Sequence, residues 1–199
     1  MMNLQELSDQ TLVEQYIAGD SKSFELLIER HRNRLFSYIF YMVKNRHKAE
    51  DIFQETCFKA ITSMREGKYS ESGRFLPWVT RIAHNLIVDL FRQEKQLNIC
   101  STDCFSAPLL NSPNYSGKTI EDDLIQDQIY ADVRNLIDYL PHEQKEVILL
   151  RHYGDLSFKE ISDYTGVSIN TALGRMRYAL INLRRLIKEN GIQITVSGK

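Results

Sequence analysis

The sequence predicts an all-α protein of two helical domains joined by a flexible acidic linker. Apolar residues recur at three- and four-residue intervals through residues 8–95 and again through 120–190, as on one face of a helix. No alternating strand pattern of useful length occurs. Residues 97–119 are rich in Ser and Asn and contain Pro108, Pro113 and Gly117, as linkers do. We therefore expect domains at 1–96 and 120–190, a linker at 97–119 and a tail at 191–199.

Four helices are expected in the first domain. A short helix capped by Asp9 ends at Gly19, a second covers about 23–45, and a third covers about 48–65. After a polar loop, Pro77 lies in the first turn of a fourth helix, which runs to about residue 96. The apolar residues along the last three helices are Phe24, Leu27, Ile28, Leu35, Ile39, Met42, Ile52, Phe53, Phe58, Ile61, Trp78, Ile82, Leu86 and Leu90.

The second domain is expected to begin with two helices. The first covers about 120–139 and has three acidic residues in its first turn, which suits the helix dipole. Pro141 begins the second, which continues to about residue 153.

A helix-turn-helix is predicted after these helices. Ser157 and Glu160 form an S-x-x-E capping box, and residues 165–167 end the short helix that it begins. Ser168 is a second N-cap, followed by a longer helix through 169–180. The apolar side chains expected to pack across the turn are Ile161, Val167, Leu173 and Met176.

The second of these helices has the side chains that a major groove requires. Ser168, Asn170 and Thr171 are small hydrogen-bonding residues at its N-terminus, and Arg175 and Arg177 can contact bases or phosphates. No acidic residue lies between positions 163 and 189, which favours phosphate binding. A plain αα-hairpin with a solvated basic face is the alternative.

Charge elsewhere is unevenly distributed, although the net charge is only −1. Residues 96–140 contain two basic and seven acidic residues, a net charge of −5. Residues 141–199 contain nine basic and six acidic residues, a net charge of +3. This distribution argues against a uniformly basic nucleic-acid coat and favours a local binding site in the second domain.

Several classes of protein are disfavoured by the sequence. No apolar run approaches the roughly 18 residues of a membrane span, and no signal peptide precedes the first domain, so we expect a cytoplasmic protein. Cys57, Cys100 and Cys104 fit a reducing compartment, and Cys100 and Cys104, with no His nearby, are interpreted as incidental thiols and not as a zinc site. The five histidines are scattered and no nucleophile motif occurs. We expect no catalytic residue, no metal site and no cofactor.

Three segments carry a resemblance to a known family. Residues 49–56 (AEDIFQET), 81–92 (RIAHNLIVDLFR) and 140–147 (LPHEQKEV) followed by the helix-turn-helix occur in the order found in bacterial sigma factors. The chain is similar to the extracytoplasmic-function (ECF) group, which keeps only two domains. The resemblance implies promoter recognition and transcription initiation with RNA polymerase.

The resemblance also assigns roles to residues. It implies that Asp51, Gln54 and Glu55 bind core RNA polymerase, and that the helix-turn-helix binds the duplex −35 element of promoter DNA. It further implies an anti-sigma factor for many members of the group. The residues that it assigns to the single-stranded −10 element are Trp78, Arg81, Asn85 and Arg92.

Some alternatives remain open at this point. Trp78 fits a stacking wall for a base or a place in the core, and Asp89 is expected to pair with Arg92. The recognition helix has Leu173 where many members have a basic residue, and Gly174 either permits close approach to DNA or eases packing. A helix-turn-helix regulator that acts without polymerase and a helical enzyme are the competing functions.

Overall fold

The computed structural model describes residues 7–69, 74–98 and 135–192. These ranges contain seven α-helices, one short 3-10 helix and no strand, so the all-α prediction is confirmed. The α-helices are α1 (Asp9–Ile17), α2 (Ser21–Val43), α3 (Arg46–Arg65), α4 (Phe75–Asn98), α5 (His142–His152), α6 (Phe158–Thr165) and α7 (Ile169–Glu189). The 3-10 helix, Ile137–Tyr139, precedes α5.

The described helices fall into two compact units. Helices α1–α4 form the first, which also includes residues 149–157. Residues 135–148 belong to the second, together with α6 and α7. The predicted linker and most of the predicted helix at 120–139 lie outside the described residues, so the domain boundaries stay a prediction.

Local capping explains where the helices of the first unit begin. Ser8, not Asp9, caps α1, since its Oγ accepts a hydrogen bond of 3.2 Å from the Thr11 amide. Asp20 and Asn45 cap α2 and α3 through their side-chain oxygens in the same way. Gly67 ends α3 with a φ of 68°, a left-handed conformation that favours glycine.

Asp9 joins α1 to α2 instead of capping. One carboxylate oxygen lies 2.5 Å from Arg30 Nη1, and the other lies 2.7 Å from His31 Nε2. Burial of Asp9 raises the pKa of its carboxyl group. The His31 and Arg30 hydrogen bonds and charges outweigh this effect, so the net pKa is below 3.8. The three side chains form an ionic link between the first two helices.

The core of the first unit contains most, but not all, of the predicted apolar residues. On α2, Phe24, Leu27, Leu35, Ile39 and Met42 are buried as expected. On α4 the buried row is Phe75, Val79, Ala83 and Ile87. After Trp78, the apolar residues that the sequence predicted for the core are only half-buried: Ile82, Leu86 and Leu90. The reason is that α4 turns the row at 79, 83 and 87 toward the neighbouring helices.

One polar contact crosses the centre of this core. Tyr38 Oη lies 2.8 Å from His84 Nδ1, and the two side chains are 0% and 4% exposed. Tyr38 belongs to α2 and His84 to α4, so the contact fixes the two helices relative to each other. At the surface of the unit, Lys48 of α3 and Glu94 of α4 form an ion pair.

The helix-turn-helix prediction is confirmed in the second unit, where α6 packs against α7. Gly166 in the turn has a φ of 65°, and Ser162 Oγ donates a 2.6 Å hydrogen bond to the Val167 carbonyl. Ser168 then caps α7, as predicted, by accepting a 3.1 Å hydrogen bond from the Thr171 amide. Ile161 is fully buried beneath the turn.

The expected packing across the turn is wrong at Leu173. This side chain is 43% exposed, whereas the buried residues of α7 are Ala172, Ala179 and Leu183. The small Ala172 side chain allows α6 and α7 to approach closely. The orientation of α7 that buries Ala172 directs the adjacent Leu173 outward. Asn182 Nδ2 also donates a 2.8 Å hydrogen bond to Gln144 Oε1, which joins α7 to α5.

Among the described residues, no helix has the length and apolar character needed to cross a lipid bilayer.

Candidate functional site

An acidic row lies along the outward side of α3. Asp51, Gln54 and Glu55 are all exposed, and their spacing of three and four residues places them on one side of the helix. We call these three residues the α3 acidic face. Its formation follows from the opposite side of α3, where buried residues hold the helix against the bundle: Ala49, Ile52, Thr56 and Ala60.

The charge of the α3 acidic face is only weakly compensated within the chain. The Glu55 carboxylate lies 3.9 Å from Lys59 Nζ, at the limit of an ion pair, and both side chains are about half exposed. An exposed pair of this kind contributes little to stability. The carboxylates are therefore accessible to a basic partner at small cost.

Phe58 extends the α3 acidic face, although the sequence pattern grouped it with the apolar residues. Its side chain is 64% exposed, and it lies three and seven residues after Glu55 and Asp51. Aromatic side chains are enriched at protein interfaces, so a large exposed ring at this position favours a docking surface. The sequence contained a signal for this exposure, because residues seven apart lie on the same side of a helix and Phe58 follows Asp51 by seven.

The candidate −10 residues of α4 differ in exposure. Asn85 and Arg92 are exposed, Arg81 is half-buried, and their spacing places the three on one side of the helix. Arg92 Nη1 lies 3.3 Å from Asp89 Oδ1, so the predicted pairing of these residues is confirmed. This pair is exposed, and the guanidinium can exchange it for a phosphate.

Trp78 belongs to the core in this structure. It is 7% exposed, and its ring packs edge-on against Tyr69 at 4.9 Å and tilted against Phe75 at 5.9 Å. These contacts favour the core alternative for Trp78 over the stacking wall. Four residues of the polar loop before α4, 70–73, lie outside the described residues.

The N-terminal part of α7 exposes hydrogen-bonding groups. Asn170, Thr171 and Arg177 are exposed, although the Thr171 hydroxyl already shares a hydrogen bond with Ser168. The Ser168 hydroxyl is also exposed, but the cap occupies one of its lone pairs, and it lies 2.9 Å from Thr171 Oγ1. Ser168 therefore has less hydrogen-bonding capacity for DNA than its neighbours.

The positive charge of Arg175 acts on a carboxyl group of its own unit. Arg175 is half-buried and lies close enough to Glu146 of α5 for its charge to act on that carboxyl group. Burial raises the pKa of Glu146, and the positive charges of His142 and Arg175 oppose this rise. A structural role thus accompanies any contact of Arg175 with DNA.

Two comparisons with curated proteins and family models give the relationship of the chain. Residues 27–96 match sigma-70 region 2, and residues 130–178 match sigma-70 region 4. The chain is 27% identical over 186 residues to the RNA polymerase sigma factor CarQ of Myxococcus xanthus, covering 92% of this chain and 99% of CarQ. It is 27% identical over 193 residues to the ECF sigma-E factor of Haemophilus influenzae, covering 95% and 97%.

Solved structures share the fold. The structure of CnrH with the cytosolic domain of CnrY superposes with a TM-score of 0.59 at 21% identity, covering 91% of this chain and 97% of that one. The sigma factor RpoE of Bartonella quintana, crystallised with the anti-sigma factor NepR, gives a TM-score of 0.66 at 20% identity, covering 84% and 98%.

The region 2 match rules out the competing prediction of a helix-turn-helix regulator that acts without polymerase. Sigma factors such as CarQ are not enzymes, so the relatives give no support to the alternative of a helical enzyme. The two matched regions occur in the order that the sequence motifs predicted. The chain therefore belongs to the extracytoplasmic-function group of RNA polymerase sigma factors, the subunits that direct core polymerase to promoters.

Proposed function

We propose that the α3 acidic face is the site at which this sigma factor binds core RNA polymerase. The observation that supports this most strongly is the exposure of Asp51, Gln54 and Glu55 on one side of a helix whose other side is buried. Charge complementarity with a basic helical partner would guide association and fix the orientation of the complex. Phe58 adds an apolar area that such a partner can cover.

Co-purification with core polymerase tests this assignment. Asp51→Arg should abolish co-elution, because it places a positive charge opposite a basic surface and changes no buried contact. Glu25→Arg is the matched control, since Glu25 is also exposed but lies on α2. Equal co-elution of Asp51→Arg and wild type would refute the assignment. Equal loss in both variants would mean that only net charge matters.

In our proposal α4 captures the single-stranded −10 element. Asn85 offers a donor and an acceptor to the edge of an unstacked base, and Arg81 and Arg92 lie on the same side to contact phosphates. Trp78, in the first turn of α4, anchors the start of this helix in the core through its contact with Tyr69. Capture of bases would offset the unstacking cost of a few kcal/mol.

Permanganate footprinting of a promoter opened by the holoenzyme tests the role of α4. Asn85→Ala should reduce the reactivity of unpaired thymines and leave binding to core polymerase unchanged. Gln93→Ala is the matched control, because Gln93 is an exposed amide on the same helix that lies outside this row. Normal opening by Asn85→Ala would remove Asn85 from the site.

In the second unit, α7 is proposed to bind the duplex −35 element. The residues that support this are Ser168, Asn170, Thr171, Arg175 and Arg177, at and after its capped N-terminus. Arg175→Ala should weaken binding, but part of its effect would come from the loss of charge beside Glu146. Arg177→Ala is the cleaner test, since Arg177 is fully outside the core.

The remaining assignments follow from this role. Promoter recognition requires no covalent chemistry, so we propose that the chain has no catalytic residue and needs no cofactor. It acts in the cytoplasm, where its polymerase partner works. An anti-sigma factor is proposed as a regulator. To test for one, the sigma factor is co-expressed with candidate partner proteins, and a partner that abolishes its binding to core polymerase would be identified as the anti-sigma factor.

A further inference from the structure

Gly174 lies in the first half of α7, where glycine is unfavourable. In a helix interior, glycine disfavours the helical state about fivefold relative to alanine. Gly166 in the preceding turn requires glycine because its φ is positive, but Gly174 has an ordinary helical φ. Backbone geometry therefore does not explain Gly174.

Packing does not explain Gly174 either. A Cβ atom built at this position would meet no atom within 4 Å beyond the helix's own backbone, among the residues that the structure describes. The alternative that Gly174 eases packing against a neighbouring helix is therefore wrong. An alanine would fit and would stabilise α7, so folding of the free protein does not favour glycine here.

The neighbours of Gly174 suggest what favours it. Asn170, Thr171, Arg177 and Tyr178 lie four and three residues before it and three and four residues after it, so they surround it on the helix surface. All four are exposed, and Tyr178 is 62% exposed. Their shared side of α7 lies opposite the buried row of Ala172, Ala179 and Leu183. Gly174 thus forms a gap at the centre of the outward face, which we call the Gly174 notch.

We propose that the Gly174 notch brings the base edges of the −35 duplex into contact with the backbone of α7. This proposal rests on the proposed binding of the −35 element by α7. A recognition helix contacts base edges through the outward-facing residues of its N-terminal part, where Gly174 lies. The missing side chain shortens the distance between α7 and the bases, so the surrounding polar side chains reach base edges and phosphates on both sides. Gly174 is then a residue that determines sequence specificity.

Binding of duplex DNA by the holoenzyme tests the notch. A random duplex library is first enriched with the wild-type holoenzyme. The affinities of wild type, Gly174→Ala and Gly174→Leu are then measured for the enriched −35 duplex and for random duplex. Gly174→Ala should lose about tenfold on the enriched duplex, within the range of about 5–150-fold that one mismatched base pair costs. Gly174→Leu should lose more, and random-duplex binding should change little.

Stability separates this loss from misfolding. Alanine and leucine are both strong helix formers, so both variants should retain or raise the melting temperature of the helical circular dichroism signal. Unchanged affinity of Gly174→Ala for the enriched duplex would overturn the proposal. Equal losses on both duplexes would overturn the base-edge contact in favour of the phosphodiester backbone. A wild-type holoenzyme that enriches no −35 sequence would overturn the proposed function itself, and the notch with it.

Discussion

Replacing Tyr38 by phenylalanine should destabilise the first unit while leaving every candidate contact residue intact. The change removes one hydroxyl and keeps the aromatic ring in place. The hydroxyl oxygen lies 2.8 Å from His84 Nδ1, and neither side chain has useful access to water, with exposures of 0% and 4%. His84 therefore cannot replace the lost partner with solvent.

The magnitude follows from this burial. A hydrogen bond between neutral groups contributes about 0.5–1.5 kcal/mol, and a buried group that loses its partner costs about 1–3 kcal/mol. His84 has a further interaction in the structure, so the lower part of this range applies, about 1–2 kcal/mol. With a urea dependence of about 1–3 kcal/mol per molar, the unfolding midpoint should fall by about 0.3–2 M.

The protein contains its own probe for this measurement. Trp78 is the single tryptophan of the chain and is buried beside Tyr69 in the first unit, so its fluorescence follows the unfolding of that unit alone. Tyr178→Phe is the matched control, since Tyr178 is exposed on α7 and its hydroxyl should not affect the Trp78 transition. An unchanged midpoint in Tyr38→Phe would refute the reasoning, because it would mean that the contact with His84 stabilises nothing.

Two further predictions concern the surface of the same unit. Phe58→Ala should weaken core-polymerase binding about tenfold without lowering the urea midpoint that Trp78 fluorescence reports. The control is Ile17→Ala, since Ile17 is similarly exposed but lies on α1, and it should change neither quantity. Equal effects of the two substitutions on core binding would contradict an interface role for Phe58. The lowered pKa of Asp9 implies stability that is present above about pH 4 and lost as the pH falls below it. In urea titrations, Asp9→Asn should therefore be less stable than wild type at about pH 5, and the difference should shrink as the pH is lowered below about 4; a difference that stays constant with pH would contradict the ionic link.

Local chemistry made the helix boundaries predictable from the sequence. The Ser168 cap and the end of α6 at Thr165 each depend on a few neighbouring residues, and both were found as expected. The exchange of Asp9 for Ser8 as the cap of α1 had a tertiary cause. Asp9 is drawn to Arg30 and His31 on the next helix, which no local pattern contains.

Facing directions were harder to predict than helices. Phe58 and Leu173 are apolar and occur in amphipathic helices, yet both are largely exposed. Periodicity identifies an apolar stripe but does not show which edge of the stripe the neighbouring helix covers. The interaction of Arg175 with Glu146 is likewise invisible in the sequence, because it joins residues of two different helices.

The candidate contact residues differ in how cleanly mutation can test them. Asp51, Asn85 and Arg177 are exposed on helices whose opposite sides are buried, so a substitution there alters binding without altering the core. Trp78 and Arg175 are less clean, since Trp78 packs in the core and the charge of Arg175 acts on the half-buried carboxyl group of Glu146. Loss of function in those two variants would not distinguish contact from folding. Gly174 is more informative than either, because its substitution should raise stability while it lowers affinity, and no folding defect produces that combination.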